Sequence, residues 1–554
     1  MTTVLGLGGS GHDWSACAIR GDRVIAIDEE RLTRHKYGVG SDLLAGVSRR
    51  AVLDALGEAP GDVQHVVGCD LVPRTFTHAY RDRLVRINHH LAHAYSTFVA
   101  SGYPDAAILV CDNSGSLLSG QRVGGSGRVA ETISYYRGSP DGITLLDKVS
   151  GAHHVEATSE SAYYQPGSTD NSLGQFYRSA SLAIGLSYVA DGSQTHPVSE
   201  DGKTMGLAPY GDARFVDDVV SLISFLPDGQ LQISANEVDR TFAKLVEGGD
   251  FKVKAALARA AQQALEQGLL HCARALHART GATRLCLAGG VALNSVANGR
   301  ILRETPFERV FVVPAAGDNG ISLGCAYYAA HQLEGRAIAD LPRLTDAYLG
   351  PVYLPSQVDE AISKGGLVIE ECTDLPDRVA ELLEAGAFIA WFDGGSEFGP
   401  RSLGHRSILA APYPGDVKDR LNDQVKFREW FRPYAPVVLA EHATEYFDLT
   451  QESPYMLIVA NVLRPDAIPA VTHVDGTARV QTLSETTNPR LHAMITRFGA
   501  RTGVPVVLNT SFNVAGQPIV ETPEDAVQAF VSMRLDYIVI GDRLFKHPHR
   551  NIYR

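Results

Sequence analysis

Apolar residues recur along this chain in two periods, and the switches between them mark its elements. Val4-Leu-Gly-Leu7, Ser15-Ala-Cys-Ala-Ile19 and Val24-Ile-Ala-Ile27 are short apolar runs. Gly8-Gly-Ser-Gly-His12-Asp13 and a Gly-Asp turn separate them, which predicts three strands joined by tight turns. Asp28-Glu-Glu-Arg31 follows directly and reads as a helix start with a structural role, since acids favour a helix N-terminus. Behind Asn88, the residues Leu91, Tyr95 and Phe98 return at helical spacing and predict a helix capped by that Asn. A second copy of the first plan follows in Ala107-Ile-Leu-Val-Cys-Asp112, Asn113-Ser-Gly-Ser116 and a strand near 129–133. Residues 253–279 predict one long helix with Leu257, Ala261, Leu265 and Leu269 in register, leading to a strand at Leu285, a Gly289-Gly290 turn and a helix start at Asn294. Residues 140–200 are polar and aromatic with few periodic apolar positions, which predicts a long loop region or small insertion. The pattern lapses again at 335–356, the expected domain junction. Beyond it come a helix and strand over 374–391, short strand ends at 473–481 and 505–513, and a closing helix and strand over 523–545.

A strand-turn-strand plan used twice suggests a duplicated nucleotide-binding fold of the actin, sugar-kinase and Hsp70-type chaperone class. At 554 residues the chain exceeds one core and implies two to four domains. Hydrophobic residues at 45% and charged residues at 20% leave every part able to fold. The formal charge of −13 argues against a general nucleic-acid or membrane-surface binder. Seven scattered cysteines with no Cys-x-x-Cys pair are the usage of a cytoplasmic protein. The N-terminus lacks signal-peptide order, and no apolar stretch reaches the length of a membrane span.

The chemistry concentrates in two places. A helix begun at Asn88 stacks His89 and His93 on one face, half of a metal site that carboxylates could complete. His90 stands three residues before His93, so spacing alone leaves the pair open. Asp112 and Asp318 each follow an apolar strand and are candidate carboxylates, although Asp318 could equally cap a helix. A zinc-protease His-Glu-x-x-His motif is absent, which disfavours peptide hydrolysis. At Gly289-Gly290, missing Cβ atoms would let a phosphate or adenylate approach, or would simply let a helix pack tightly on a strand. In the second half, seven basic residues fall between 401 and 432 of an acidic chain. Some of them, with interleaved acids, read as a solvated helix face. Arg401, Arg406 and Arg432 lie instead among Gly, Pro and aromatic residues, where stiffly held guanidinium groups suit phosphate.

Asn88-His-His-Leu-Ala-His93-Ala, Gly317-Asp318-Asn-Gly320, Glu397-Phe-Gly-Pro-Arg401-Ser-Leu-Gly-His-Arg406 and Asn509-Thr-Ser-Phe-Asn513 occur in this order. Together they resemble the O-carbamoyltransferases of natural-product and Nod-factor biosynthesis, the tobramycin, cephamycin and nodulation type. The resemblance implies an α/β and α+β architecture. Residues 1–348 would form an actin-like, metal-binding transfer domain. Residues 349–554 would form a carbamoyl-adenylate-forming domain like threonylcarbamoyl-adenylate synthase. It implies an Fe²⁺ site, with Mn²⁺ the alternative, made by His89, His93, Asp112 and Asp318. It also implies a site for carbamoyl phosphate and ATP, with Mg²⁺, at Arg401, Arg406, Lys426, Arg432, Arg479, Asn509 and Ser511; Gly289, Gly290 and Asn294 are further nucleotide-side candidates. Ser402, His405 and Asn113 depart from the usual residues of the family. The implied reaction forms carbamoyl-adenylate and pyrophosphate, then carbamoylates a hydroxyl of a small-molecule acceptor, with the labile adenylate protected on a closed path between domains and His12 as candidate base. No nucleic-acid or membrane partner is expected, and a homodimer is allowed. The rivals are an actin-fold kinase releasing ADP, a non-catalytic ATP-sensing module, and a tRNA-modifying enzyme, which a −13 chain is poorly equipped to be.

Overall fold

The computed structural model describes residues 2–38, 46–123, 127–155, 167–189 and 198–548. It divides into two compact units, Met1–Glu29 with Tyr37–Leu344, and Glu30–Lys36 with Thr345–Arg554. The division after Leu344 falls within the lapse at 335–356, four residues before the expected boundary at 348, and residues 30–36 go with the second unit.

The first unit is built on one plan used twice. Its first sheet runs Arg23–Asp28, Ser15–Arg20, Thr3–Gly8, His65–Cys69, Leu84–Ile87. Thr3–Gly8 pairs antiparallel with Ser15–Arg20 and parallel with His65–Cys69. In the second sheet Ala106–Cys111 takes the central place, antiparallel to Gly127–Ser139 and parallel to Arg284–Ala288, with Arg309–Val312 parallel beyond it. Two antiparallel strands on one side of the central strand and two parallel strands on the other is the duplicated actin-type plan. Both central strands are buried along their whole length, the reason they read as continuous apolar runs rather than alternating ones.

Close backbone approach brings the two halves together. A Cβ on Gly6 would lie 1.9 Å from the Ser322 carbonyl oxygen, and one on Gly324 would lie 1.8 Å from that of Ala92. Glycine at these positions lets the helix Ile321–Tyr328 lie against both Thr3–Gly8 and the helix His89–Ser101. The loop before one helix and the first turn of the other are thereby held side by side.

Residues 140–200 depart from the loop expectation. Gly142–Val155 is a long strand paired with Gly127–Ser139, and Leu173–Ala183 is a buried helix capped by Ser172. Register shifts near Glu131 and Tyr135 break the alternation that would have announced the strands. The helix buries Gln175, Ser179 and Ser181, with Gln175 Nε2 donating to Ser179 Oγ and Ser181 Oγ bonded to Thr204 and Asp201, so its hydrophobic period is weak. Residues 156–166 and 190–197 lie outside the described residues.

The second unit is a mixed sheet in the order Val368–Ile369, Arg543–Lys546, Tyr537–Ile540, Ile389–Phe392, Arg406–Ala410, Val506–Ser511, Ala435–Leu439, Gln481–Leu483. The helices Leu375–Glu384 and Pro489–Thr502 pack on it around Trp391, Leu383, Met494 and Phe498. Among the described residues no helix is long and apolar enough to cross a membrane.

Candidate active site

In the first unit, Asn88 caps the helix His89–Ser101 by accepting from the Leu91 N–H at 2.9 Å. The cap fixes the first turn, and one turn of helix sets His89 above His93. Asp112 ends the strand Ala106–Cys111, and Asp318 opens the turn before Ile321–Tyr328. His89 Nε2 lies 3.2 Å from Asp112 Oδ2 and 3.5 Å from Asp318 Oδ1. His93 Nε2 lies 3.3 and 3.6 Å from the same two oxygens. All four side chains are buried. Burial pushes both imidazoles down, but Asp318 and Asp112 outweigh it and hold His89 well above the usual histidine range and His93 above it. The carboxyl of Asp318, which burial would raise, is held well below its range chiefly by His89.

These residues fit a divalent ion. One donor atom from each of the four lies within 4.8 Å of the others. Four ligands at roughly 2.1 Å from a metal stand about 3–3.5 Å apart, close to the nitrogen–oxygen spacings observed. His93 Nε2 is buried and makes no hydrogen bond despite its two neighbouring carboxylates, an orphan that a cation between them would satisfy. Two imidazoles and two carboxylates suit Fe²⁺ or Mn²⁺ and include no thiolate.

His90 belongs elsewhere. Its Nδ1 meets Ser134 Oγ at 2.7 Å, its main-chain N–H reaches Glu131, and burial pushes its ring down to about 4. Glu131 is fully buried and gathers Asn88 Nδ2, the Ser116 N–H at 3.0 Å and the Lys148 ammonium.

The remaining first-unit candidates divide. His12 is partly exposed and paired with Asp13 Oδ2 at 2.9 Å, and its charge contributes to lowering Asp318. The N–H of Gly290 donates to Asp112 Oδ1 at 3.3 Å, so this turn holds a cluster carboxylate. Gly289 adopts φ 90°, and a Cβ there would lie 2.2 Å from the Cys111 carbonyl oxygen, so close packing explains it. Asn294 is committed to the protein: its amide pairs reciprocally with Gln262 at 2.9 and 3.0 Å and caps the following helix.

In the second unit Arg401, Lys426, Arg428, Arg432 and Arg479 act on one another. Burial and then Arg401, Arg428 and Arg432 push Arg479 well below the usual arginine range. Burial, with Arg428 and Arg432, does the same to the Lys426 ammonium. Lys426 Nζ donates to the Ser511 carbonyl and to Asn513 Oδ1, each at 2.8 Å. Asn509 Nδ2 is tied to Gln481 at 2.8 Å and to the Ser402 carbonyl, while its Oδ1 is buried without a partner. Glu429 pairs with Arg432 at 3.4 Å. Like charges gathered this closely leave this part of the second unit electropositive. Arg428 enters this group as an addition that the sequence did not single out: it sits 3.9 Å over the Tyr434 ring and burial pushes it down to about 10. The stiff Arg432-Pro433-Tyr434 turn beside it was the available signal. Arg406 behaves differently from its expectation. Its guanidinium is buried over Phe392 and donates to the carbonyls of Asp393, Gly394, His405 and Glu521, which makes it a brace of the loop and leaves it little to offer a phosphate.

Comparison with known proteins identifies the family. A family model described as the carbamoyltransferase N-terminus matches residues 63–327, and one described as the carbamoyltransferase C-terminus matches residues 380–547. The chain belongs to the carbamoyltransferase family. Nodulation protein NolNO of Sinorhizobium fredii is 35% identical over 97% of this chain and 79% of its own. Nodulation protein NolO of Bradyrhizobium diazoefficiens is 37% identical over 83% of this chain and 79% of its own. The 3'-hydroxymethylcephem-O-carbamoyltransferase of Amycolatopsis lactamdurans is 30% identical over 63% of this chain and 65% of its own. As a carbamoyltransferase the chain is an enzyme, and both residue clusters fall inside the matched regions.

Proposed function

We propose that this carbamoyltransferase is ATP-dependent and carbamoylates a hydroxyl of a small-molecule acceptor through carbamoyl-adenylate. The observation that carries the reading is a cluster of cations: Arg401, Arg428 and Arg432 act on the buried Arg479, and Arg428 and Arg432 act on Lys426, whose ammonium is held by the Ser511 carbonyl and Asn513 Oδ1. Carbamoyl phosphate, ATP and water yield carbamoyl-adenylate, pyrophosphate and inorganic phosphate. In the second unit water cleaves carbamoyl phosphate to carbamate and inorganic phosphate; a carbamate oxygen then attacks the α-phosphorus of ATP and the bond to pyrophosphate breaks. Arg401 and Arg479 face charge on the phosphoryl oxygens, and Lys426, held by Ser511 and Asn513, supplies a third cation. Asn509, with its buried free oxygen, is positioned to accept from the carbamoyl amide.

The first unit then consumes the adenylate. The acceptor oxygen attacks the carbamoyl carbon, AMP leaves, and the hydroxyl proton passes to His12, which Asp13 orients. When bound, a divalent ion at His89, His93, Asp112 and Asp318 supplies Lewis acidity toward the carbonyl and an anchor for the adenylate. The cephem relative, named for O-carbamoyl transfer to a hydroxymethyl group, supports an alcohol as acceptor. The test is mass analysis of sugar, macrolide and aminoglycoside alcohols incubated with the protein, ATP and carbamoyl phosphate. A product bearing one carbamoyl group is expected. Phosphorylated products with ADP would identify a kinase instead.

A further inference from the structure

Arg31 follows the strand Arg23–Asp28 but lies in the segment Glu30–Lys36 that belongs to the second unit. It is 1% exposed, and its Nη2 donates to the carbonyls of Glu397 at 3.3 Å and Gly399 at 2.9 Å. Those two carbonyls begin the loop that carries Arg401. Glu397 is itself buried, and its Oε1 accepts the N–H groups of Leu403 at 2.7 Å, His405 at 2.8 Å and Arg406 at 3.2 Å. One carboxylate therefore curls the loop around itself, helped by the left-handed φ of 115° at Gly404. From the far side, Gln481 and Asn509 hold the Leu403 and Ser402 carbonyls.

A guanidinium in this place is costly. Arg31 Nε and Nη1 and Glu397 Oε2 are buried without hydrogen-bond partners, and apolar side chains of similar volume would usually be as stable or more so. Its two bonds to the root of the Arg401 loop are what a neutral packing residue could not supply. We propose that Arg31 is a positioning residue for the anion site, fixing residues 397–406 so that Arg401 is presented together with Arg479. The inference rests on reading those cations as phosphate-binding, and it gives the Asp28–Arg31 stretch a task beyond starting the short helix Glu29–Thr33.

The test compares the full-length wild type with Arg31→Ala and Arg31→Lys, following hydrogen exchange across 397–406 and the affinity for inorganic pyrophosphate by calorimetry. Arg31→Ala should speed exchange at the Leu403, His405 and Arg406 amides and weaken pyrophosphate about tenfold, the loss expected for hydrogen bonds from a charged donor. Arg31→Lys should recover part of both, since an ammonium lacks the planar fork but keeps the charge. Metal uptake by the first unit should not change. If Arg31→Ala does not fold, Arg31→Lys carries the test, with roughly threefold weaker binding expected. A folded variant with wild-type exchange and affinity would overturn the proposal, as would a wild type that binds no pyrophosphate. A wild type that binds pyrophosphate yet forms no carbamoyl-adenylate would sink the proposed reaction and leave Arg31's role standing on the exchange and binding data.

Discussion

Individual side chains in this protein act mainly by what they oblige their neighbours to be. Asp112 and Asp318 hold His89 and His93 above the ordinary histidine range, so an ion taken up there must displace protons. Anaerobically purified protein should carry about one transition ion per chain. His93→Ala should lose most of it, and His90→Ala, whose ring is bonded to Ser134, should keep it. A retained ion with neither His89 nor His93 coordinating, seen by metal-edge absorption, would refute the assignment. Glu131 offers a pH test. Burial would raise its carboxyl, but His90, Lys148 and Asn88 bring it down to about 2. Because the folded state holds this group deprotonated, its contribution is fully present above about 4.5, the unfolded value, and is lost as pH falls toward 2. Glu131→Gln should therefore unfold more readily at neutral pH, by on the order of 3 kcal/mol. Its stability should also fall less steeply between pH 4.5 and 2 than that of the wild type. Parallel acid-unfolding curves for the two proteins would contradict this. Spacing alone left His89 and His90 as alternatives and Asp318 as a possible cap, and only the resemblance picked out the four residues that the fold brings together, His89, His93, Asp112 and Asp318. Arg31, Glu397 and Glu131 were not legible in the sequence, since a buried charge is told from a surface charge only by the backbone groups around it.

At the scale of elements, the metal candidates converge because two helices touch along small residues. A Cβ at Gly324 would come within 1.8 Å of the Ala92 carbonyl oxygen, so Gly324→Ala must push Ile321–Tyr328 off His89–Ser101. It should destabilise the first unit by about 1–3 kcal/mol or more and reduce metal uptake with it. Unchanged chemical denaturation and metal content would show that the two helices have room to spare there. The strands of the duplicated plan were readable as apolar runs between Gly-rich turns, and the long helix Phe251–Thr280 by its repeat of alanine and leucine. What escaped was Gly142–Val155 and Leu173–Ala183, where bulges and buried hydroxyl and amide side chains erase the period on which such reading depends.

For the molecule as a whole, the chain belongs to the carbamoyltransferase family and the order of chemistry is the part to be tested: a cluster of cations in one unit, a two-histidine, two-aspartate cluster in the other. If adenylate formation belongs to the cations and transfer to the cluster, each half can be broken alone. The measurement that bears most directly on this is pyrophosphate released from ATP on adding carbamoyl phosphate, followed with carbamoylated product in wild type, Arg401→Ala and His93→Ala. Arg401→Ala should release neither pyrophosphate nor product, and folded His93→Ala should still release pyrophosphate while making no product. Loss of both signals in His93→Ala, or release of ADP in place of pyrophosphate by the wild type, would contradict the account.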